Sequence, residues 1–156
     1  MTVEIAPVPQ GEKPAMWAMY QAYAGELAPM VNVEPVNGVY CDPRFDLYWI
    51  ERTRWPYWAM SSGERAGFAM VHVDPEFGGM RMGEFYIRPE FRRAGIGHAF
   101  ANTLLARHPG SWRIRQISGN TAAVAFWRRV AERFGYTEDR FIDKGFARVE
   151  QRFSVV

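Results

Sequence analysis

Residues 85 to 98 read Phe-Tyr-Ile-Arg-Pro-Glu-Phe-Arg-Arg-Ala-Gly-Ile-Gly-His, and the fold can be predicted outward from them. An apolar run typical of a strand leads into Arg92-x-x-Gly95-x-Gly97, which opens a helix. Two glycines let the backbone approach a ligand closely. The start of a helix adds N–H groups without partners and the positive end of the helix dipole. The stretch therefore predicts an anion site.

The spacing excludes two common nucleotide-binding loops. No Gly-Lys-Ser/Thr follows, as a P-loop requires, and Phe100 stands where the dinucleotide fingerprint has its third glycine. What remains resembles the pyrophosphate motif of the GNAT N-acetyltransferase superfamily, Arg/Gln-x-x-Gly-x-Gly/Ala after a strand Phe-Tyr-Ile-x-Pro-Glu-Phe/Tyr-Arg.

A second block, residues 119 to 136, falls where that family has its Asn-x-x-Ala-x-x-Phe-Tyr-x-x-x-Gly-Phe helix. It matches at Asn120, Ala123 and Phe126. Element order in the N-terminal half is similar to that of a poorly characterised subgroup of predicted acetyltransferases within the superfamily.

The resemblance and the periodicity predict a single α/β domain of the α+β type spanning residues 1–156. Its sheet is expected to be mixed, mostly antiparallel and six- to seven-stranded, with about four flanking helices. The predicted strands are 2–8, 57–60, 66–73, 80–88, 112–118, 136–142 and 147–155. The predicted helices are 14–28, ended by Pro29; one that starts at Asp42-Pro43 and ends at Trp55-Pro56; 94–107; and 121–134.

The resemblance also implies acetyl-CoA as co-substrate. Pantetheine would enter a gap between the strand ending at Ile87 and the strand ending near Ser118, and the backbone N–H of Ile87 would meet the acetyl carbonyl. The expected contacts to acetyl-CoA are Tyr86, Ile87, Arg92, Arg93, Ala94, Gly95, Ile96, Gly97, His98, Asn120, Phe126 and Trp127.

Several of these residues have a purely structural alternative. Gly95 and Gly97 could form only a tight strand-to-helix turn. Asn120 is a favoured helix N-cap, a role compatible with a place beside pantetheine. Phe126 and Trp127 belong to an apolar helical stripe typical of a core.

Trp127 departs from the family, which commonly has a tyrosine there whose hydroxyl can protonate the departing thiolate. An indole N–H is no practical acid. A thiolate, whose parent thiol has a pKa near 8.5, leaves tolerably without full protonation. Water, Tyr86 or Tyr136 are the possible replacements.

An amine nucleophile is cationic at neutral pH and must lose a proton, so a base is required. Glu84 is the leading candidate, because it lies in an apolar strand where burial would raise its pKa. Strict alternation would place Glu84 and Tyr86 on the same face as Met80 and Met82, unless a bulge intervenes. The alternatives for Glu84 are a pair with an arginine or the orientation of a loop.

Other candidate bases are weaker. His72 lies in an ordinary alternating strand and His98 in the anion-binding turn. Glu26, Asp46 and Glu51 lie in the variable N-terminal segment, whose aromatic residues are expected on the acceptor side of the cleft: Tyr20, Tyr23, Tyr40, Tyr48 and Trp49.

Composition narrows the function classes. The chain has 156 residues, 19 Lys and Arg against 17 Asp and Glu, and a net charge of +2, which does not favour nucleic-acid binding. Arginines nevertheless cluster in the C-terminal half, where they could attract a polyanion such as coenzyme A or simply form solvated faces. The single Cys41 and the three histidines predict no metal site, and no stretch approaches about 18 consecutive apolar residues.

The resulting hypothesis is an acyltransferase: an acetyl-CoA-dependent N-acetyltransferase acting on a primary amine of a small molecule or peptide. We expect it to be cytoplasmic, monomeric or homodimeric, and without nucleic-acid or membrane partners. The alternative, favoured by Trp127, is an inactive acyl-CoA-binding sensor or partner module.

Overall fold

The computed structural model describes residues 2–156. The strands are β1 Glu4–Pro7, β2 Arg54–Ser61, β3 Glu64–Val73, β4 Met80–Ile87, β5 Gly110–Ile117, β6 Thr137–Asp143 and β7 Phe146–Val155. The α-helices are α1 Lys13–Val31, α2 Ile96–Arg107 and α3 Thr121–Ala131.

The seven strands form one sheet in the order β1-β2-β3-β4-β5-β7-β6. All neighbouring pairs are antiparallel except β4 and β5, which α2 connects as a parallel crossover. The predicted mixed, mostly antiparallel sheet is confirmed. Within residues 2–156 there are three α-helices rather than the four predicted.

The missing helix is the one predicted from Asp42 to Trp55. Only a short 3₁₀ helix, Phe45–Trp49, forms there, and Trp55-Pro56 lies inside β2. Pro56 is tolerated in β2 because of where it lies. Its carbonyl accepts from Val8 N–H, just past the end of β1. The N–H that proline lacks would have pointed to the same side, where the β1–β2 pairing ends, so no ladder bond is lost. The sequence predicts that Pro56 ends a helix, but in the structure β2 has already begun at Arg54.

The first helix is longer than predicted, since Pro29 lies within α1 instead of ending it. The helix continues only to Val31, and Asn32 closes it in a left-handed conformation at φ 52°. A proline in the last turn removes one hydrogen bond without disturbing many later residues, which explains why the helix tolerates it.

A bulge at Gly83 corrects the predicted facing of β4. Glu84 pairs with Met70, but Val71, the next residue on β3, pairs with Met82. The extra residue turns Glu84 and Tyr86 to the opposite face from Met80 and Met82. Strict alternation gave the wrong face for Glu84.

The two faces of the sheet are covered unequally. On one face, α2 and α3 pack against strands along the sheet in a core that contains Phe100, Trp112 and Trp127. On the other face, α1 and the 3₁₀ helix cover the β1 to β4 part of the sheet, around Phe68 and Tyr86. On that second face β5 and β7 carry mainly charged side chains, including Arg115 and Glu150.

Candidate active site

β4 and β5 separate soon after they begin. They pair only at Met80 with Trp112 and at Arg81 with Arg113. Beyond these pairs the two strands diverge, as the sequence analysis expected. Arg88 N–H donates to Ala66 on β3. Because successive N–H groups of a strand point to opposite sides, the N–H of Ile87 points into the gap.

The turn that enters α2 adds further donors. Arg93 and Gly95 have φ of 65° and 81°, and Gly95 caps α2 without a side-chain bond. Residues 96–98 start the helix, so their N–H groups have no intrahelical acceptor. At Gly97 an added Cβ would lie 3.2 Å from Phe126 Cε1 and 3.5 Å from Ile87 Cγ1, so the backbone is closely packed there.

The gap and this turn form a first cleft of about 790 Å³. The predicted contact residues in its wall are Tyr86, Ile87, Arg92, Arg93, Gly95, Gly97, His98, Asn120, Phe126 and Trp127. Two predicted residues are not in the wall. The side chain of Ile96 is buried in the core and Ala94 is exposed on the turn.

Arg92 has a structural partner on each side. Its Nε donates to the Ile87 carbonyl at 2.8 Å, and its guanidinium makes two bonds to Glu26, at 2.9 and 3.0 Å. The side chain thus links the end of β4 to α1. Arg93, also in the wall, has no such ion pair within residues 2–156.

Asn120 combines the two roles weighed from the sequence. Its Oδ1 accepts from Ala123 N–H at 3.2 Å, which makes it the N-cap of α3, and it also lines the first cleft. Trp127 is 6% exposed, with its ring 4.9 Å from that of Phe85. It is therefore both core and cleft wall.

Glu84 does not line the first cleft. Its carboxylate accepts a hydrogen bond from the hydroxyl of Tyr23, a residue of α1 that does line the first cleft. Burial raises the pKa of Glu84 to about 7, although the bond from Tyr23 acts in the opposite direction. A carboxyl group with this pKa can both take and release a proton near neutral pH.

Glu84 instead lines a second cleft of about 540 Å³ on the open face of the sheet. Tyr48 and His72 share this cleft, and Tyr48 Oη lies 3.2 Å from His72 Nδ1. Burial, assisted by nearby arginines, lowers the pKa of His72 to about 4, so this histidine is neutral at pH 7 and a weaker base than Glu84.

Tyr23 is the residue whose position sequence reasoning missed. It was expected only as one of several acceptor-side aromatics, yet it joins the two clefts through Glu84. The two residues are 61 positions apart, and no local pattern signals their contact. Of the proposed replacement acids, Tyr86 lines the first cleft and Tyr136 does not; burial raises the pKa of Tyr86.

The C-terminal arginines divide between several environments. Arg128 forms a two-bond pair with Glu138 at 2.8 Å, and Arg133 lies over the Phe134 ring. Arg113 and Arg115 face the second cleft, and Arg129 faces the first. Most of the cluster therefore lies away from the expected polyanion site.

The described chain has neither a metal-binding cluster nor a membrane-spanning helix. Among residues 2–156, no group of three or more His, Cys, Asp or Glu side chains is placed to hold a metal ion. Within the same residues, no helix has the length and apolar character needed to cross a membrane.

Comparison with known proteins decides the family. The model of the Acetyltransferase (GNAT) family matches residues 16–131, most of the chain. The chain belongs to this family. Its class is therefore that of an acyltransferase, as the sequence analysis predicted. No curated protein is significantly similar in sequence.

Solved structures of GNAT acetyltransferases share the fold. An acetyltransferase from Thermus thermophilus aligns with a TM-score of 0.73 at 14% identity, covering 99% of this chain and 98% of that one. The ribosomal-protein-S18-alanine N-acetyltransferase of Escherichia coli gives 0.66 at 14%, covering 99% and 94%. A putative acetyltransferase from Salmonella typhimurium, solved with its cofactor acetyl-CoA, gives 0.68 at 14%, covering 100% and 95%.

Proposed function

We propose that this GNAT protein transfers the acetyl group of acetyl-CoA directly to a primary amine, with Glu84 as the base. One observation carries the proposal: Glu84 and Tyr23 form a bonded pair whose members line two different clefts. Both clefts include residues of β4, Phe85 to Ile87 in the first and Arg81 to Glu84 in the second. This arrangement suits a reaction in which two substrates occupy neighbouring clefts and meet at the pair.

The residues of the first cleft fit acetyl-CoA. The free N–H groups of residues 96–98 and the positive end of the helix dipole suit a pyrophosphate. The unpaired edge of β4 offers N–H groups to the amides of pantetheine. The cleft also exposes apolar wall at Phe126 and Trp127. When bound, acetyl-CoA supplies a thioester, so that transfer forms a C–N bond and breaks a C–S bond.

Three groups of the protein then have defined roles. The Ile87 N–H donates to the carbonyl oxygen on which negative charge develops. Glu84 takes a proton from the incoming ammonium group. Tyr23 keeps the Glu84 carboxylate in place through its hydrogen bond and thereby fixes the direction from which the amine is deprotonated.

The departing thiolate has a hydroxyl group available despite Trp127. Tyr86 lines the first cleft, whereas the hydroxyl of Tyr23, in the same wall, already donates to Glu84. A general acid typically contributes about 10²–10⁴-fold in rate, but a thiolate is a tolerable leaving group. Trp127 therefore changes how the proton is supplied without making transfer impossible. For this reason we favour an active enzyme over an inactive sensor.

We infer that the acceptor amine belongs to a small molecule or to a peptide end. The second cleft, at about 540 Å³, has room for a group of that size. The Escherichia coli neighbour is named for an alanine of a ribosomal protein, so peptides belong in any screen beside free amines.

An acceptor screen tests the proposal. Thiol release from acetyl-CoA is followed with a panel of primary amines and short peptides, using the wild type and Glu84→Gln. We expect at least one acceptor to be turned over, and Glu84→Gln to reduce kcat by about 10²-fold or more. Equal turnover by both proteins would exclude Glu84 as the base. Binding of acetyl-CoA without turnover of any acceptor would favour the sensor.

A further inference from the structure

We infer that the acceptor of this enzyme is a primary amine that also carries a carboxylate or a phosphate. The inference rests on the proposed function and concerns the second cleft, where Glu84 would meet the amine. The inference is based on the clustered arginines that do not line the first cleft.

The second cleft contains cations without carboxylate partners. Arg113 lies on β5, Lys144 in the β6–β7 turn and Arg44 in the loop that follows α1. Within residues 2–156 none of the three forms an ion pair. They reach the cleft from three different elements, so together they surround a space rather than form one solvated face.

Arg148 on β7 provides the sharpest signal. Its Nε is buried and has no hydrogen-bond acceptor within the described chain. Its closest carboxylate oxygen is that of Asp143, 4.0 Å from Nη2. Nε itself is out of a ligand's reach, but the same guanidinium lines the second cleft. An anion bound to it there would supply the counter-charge that Asp143, at 4.0 Å, supplies only weakly.

The acidic residues of the region are already engaged or peripheral. Glu150, 1% exposed beneath the cleft, bonds to Arg81, Arg115 and Arg152. Asp74 pairs with Arg81. Asp143 has only long contacts to Arg115 and Arg148, at 3.8 and 4.0 Å.

Two other carboxylates line the rim. Asp42 accepts from the backbone N–H of Arg44, and Glu76 is exposed. Glu84 is therefore the carboxylate placed to face an ammonium group, and the unpaired cations are left for an anion.

The strand register gives the separation between the two ends of such an acceptor. Arg113 pairs with Arg81, and four residues later Ile117 pairs with Arg148. Four residues beyond Arg81 on β4 is Phe85, next to Glu84. Arg148 and Glu84 thus lie at similar positions along the strand direction. Two inter-strand spacings separate β4 from β7, which gives roughly 10 Å, and the divergence of β4 from β5 increases this distance. The arginine side chain spans part of that distance, so an amine and an anion a few bonds apart fit between the two groups.

Matched pairs of amines test the inference, because the two members of a pair differ only in the anion. β-Alanine is compared with β-alaninamide, and O-phosphoethanolamine with ethanolamine. For each we would measure kcat/KM for acetylation, and calorimetric binding to the protein loaded with coenzyme A. We expect the anionic member of at least one pair to be favoured by about tenfold or more in both measurements, and the favoured pair tells carboxylate from phosphate.

Variants identify the groups responsible. Arg148→Gln should abolish the preference within the favoured pair by weakening the anionic member alone. Lys144→Asn, in case the first variant does not fold, removes a cation from a turn position with φ 52° that asparagine tolerates. Arg140→Gln is the control, since it removes an equal charge from an arginine that is 72% exposed and lines neither cleft.

The outcomes separate this inference from the proposed function. If acetyl-CoA binds but neither anion improves binding or turnover in either pair, the inference is wrong while the proposed function stands. A preference that survives both Arg148→Gln and Lys144→Asn would also overturn it. Failure to bind acetyl-CoA would remove the proposed function and this inference together.

Discussion

Glu84 is a titrating carboxylate with one identified hydrogen-bond donor, Tyr23, and this pair makes the pH profile of the enzyme predictable. Burial raises the pKa of Glu84 to about 7, and the base must be ionised to accept a proton. We therefore expect kcat/KM to rise with pH through about 7. The Tyr23 bond stabilises the ionised form, so Tyr23→Phe should move this limb to higher pH. The measurement is kcat/KM between about pH 5.5 and 9.

Tyr20→Phe is the matched control for that profile. Tyr20 lies one turn earlier on α1 and does not bond to Glu84. The rising limb of the kcat/KM profile of Tyr20→Phe should therefore stay near pH 7. A limb that does not move in Tyr23→Phe would show that another group sets the profile.

The same ionisation predicts a pH-dependent stability. The pKa of Glu84 is higher in the folded protein than in the unfolded chain, so stability is full below the unfolded value near 4.5 and is lost as pH rises through about 7. Glu84→Gln removes this loss. In urea unfolding, the free energy of unfolding of Glu84→Gln relative to that of the wild type should rise by on the order of 1 kcal/mol between about pH 5 and pH 8. A constant difference across that range would contradict the assigned pKa.

Prediction from sequence was uneven for individual residues. Glu84 could be identified as a buried carboxylate because it interrupts an apolar strand, and Asn120 as an N-cap because asparagine precedes the apolar stripe of α3. Tyr23 could not be singled out, since its role depends on how α1 lies across β4. The partner of Arg92 could not be predicted either, because Glu26 is 66 residues away in the sequence.

Among the elements, the start of α2 allows a test of backbone conformation. Gly95 has φ 81° and free space around its Cα, so alanine there meets no neighbour but must adopt a left-handed conformation. We expect Gly95→Ala to cost about 1 kcal/mol in the free energy of unfolding and to weaken acetyl-CoA binding several-fold, because the N–H groups of the first turn are displaced.

Gly119→Ala is the matched control, because Gly119 also has free space but has no positive φ. It should leave both quantities nearly unchanged. Equal effects of the two variants would mean that the left-handed turn is not required for the site.

Element boundaries were predicted well where the pattern was local and poorly where pairing decided them. The strand before Arg92 and the helix after Gly95 follow from adjacent residues. The bulge at Gly83 depends on the register between β3 and β4, which no local pattern specifies. The tolerance of Pro56 in β2 likewise depends on where β1 ends.

Across the whole molecule, Glu150 joins β4, β5 and β7 through three arginines. Burial alone would raise the pKa of this carboxyl, but the hydrogen bonds from Arg81, Arg152 and Arg115 outweigh burial and lower it. Glu150→Gln leaves the arginines without their counter-ion, and we expect it to destabilise the fold by about 3–5 kcal/mol at pH 7. Because the wild type loses this contribution as pH falls through the lowered pKa, the difference should shrink in acid.

Asp139→Asn is the comparison for that prediction. Asp139 is 55% exposed and, among residues 2–156, forms an ion pair only with Arg152, so its loss should cost less than about 1 kcal/mol. Urea titrations at about pH 7 and below about pH 4 measure both variants. Equal costs at neutral pH would contradict the account of Glu150 as the central ion of the sheet.

The central claim is that the gap between β4 and β5, with the turn into α2, holds acetyl-CoA. Calorimetric titration with acetyl-CoA tests it most directly. The wild type is compared with Gly97→Trp, whose side chain would occupy the space beside Phe126 and Ile87. The control is Gly11→Trp, at an exposed glycine with free space around it. The account predicts micromolar binding to the wild type and to Gly11→Trp, and none to a folded Gly97→Trp. Absence of binding to the wild type at millimolar acetyl-CoA, or undiminished binding to Gly97→Trp, would contradict it.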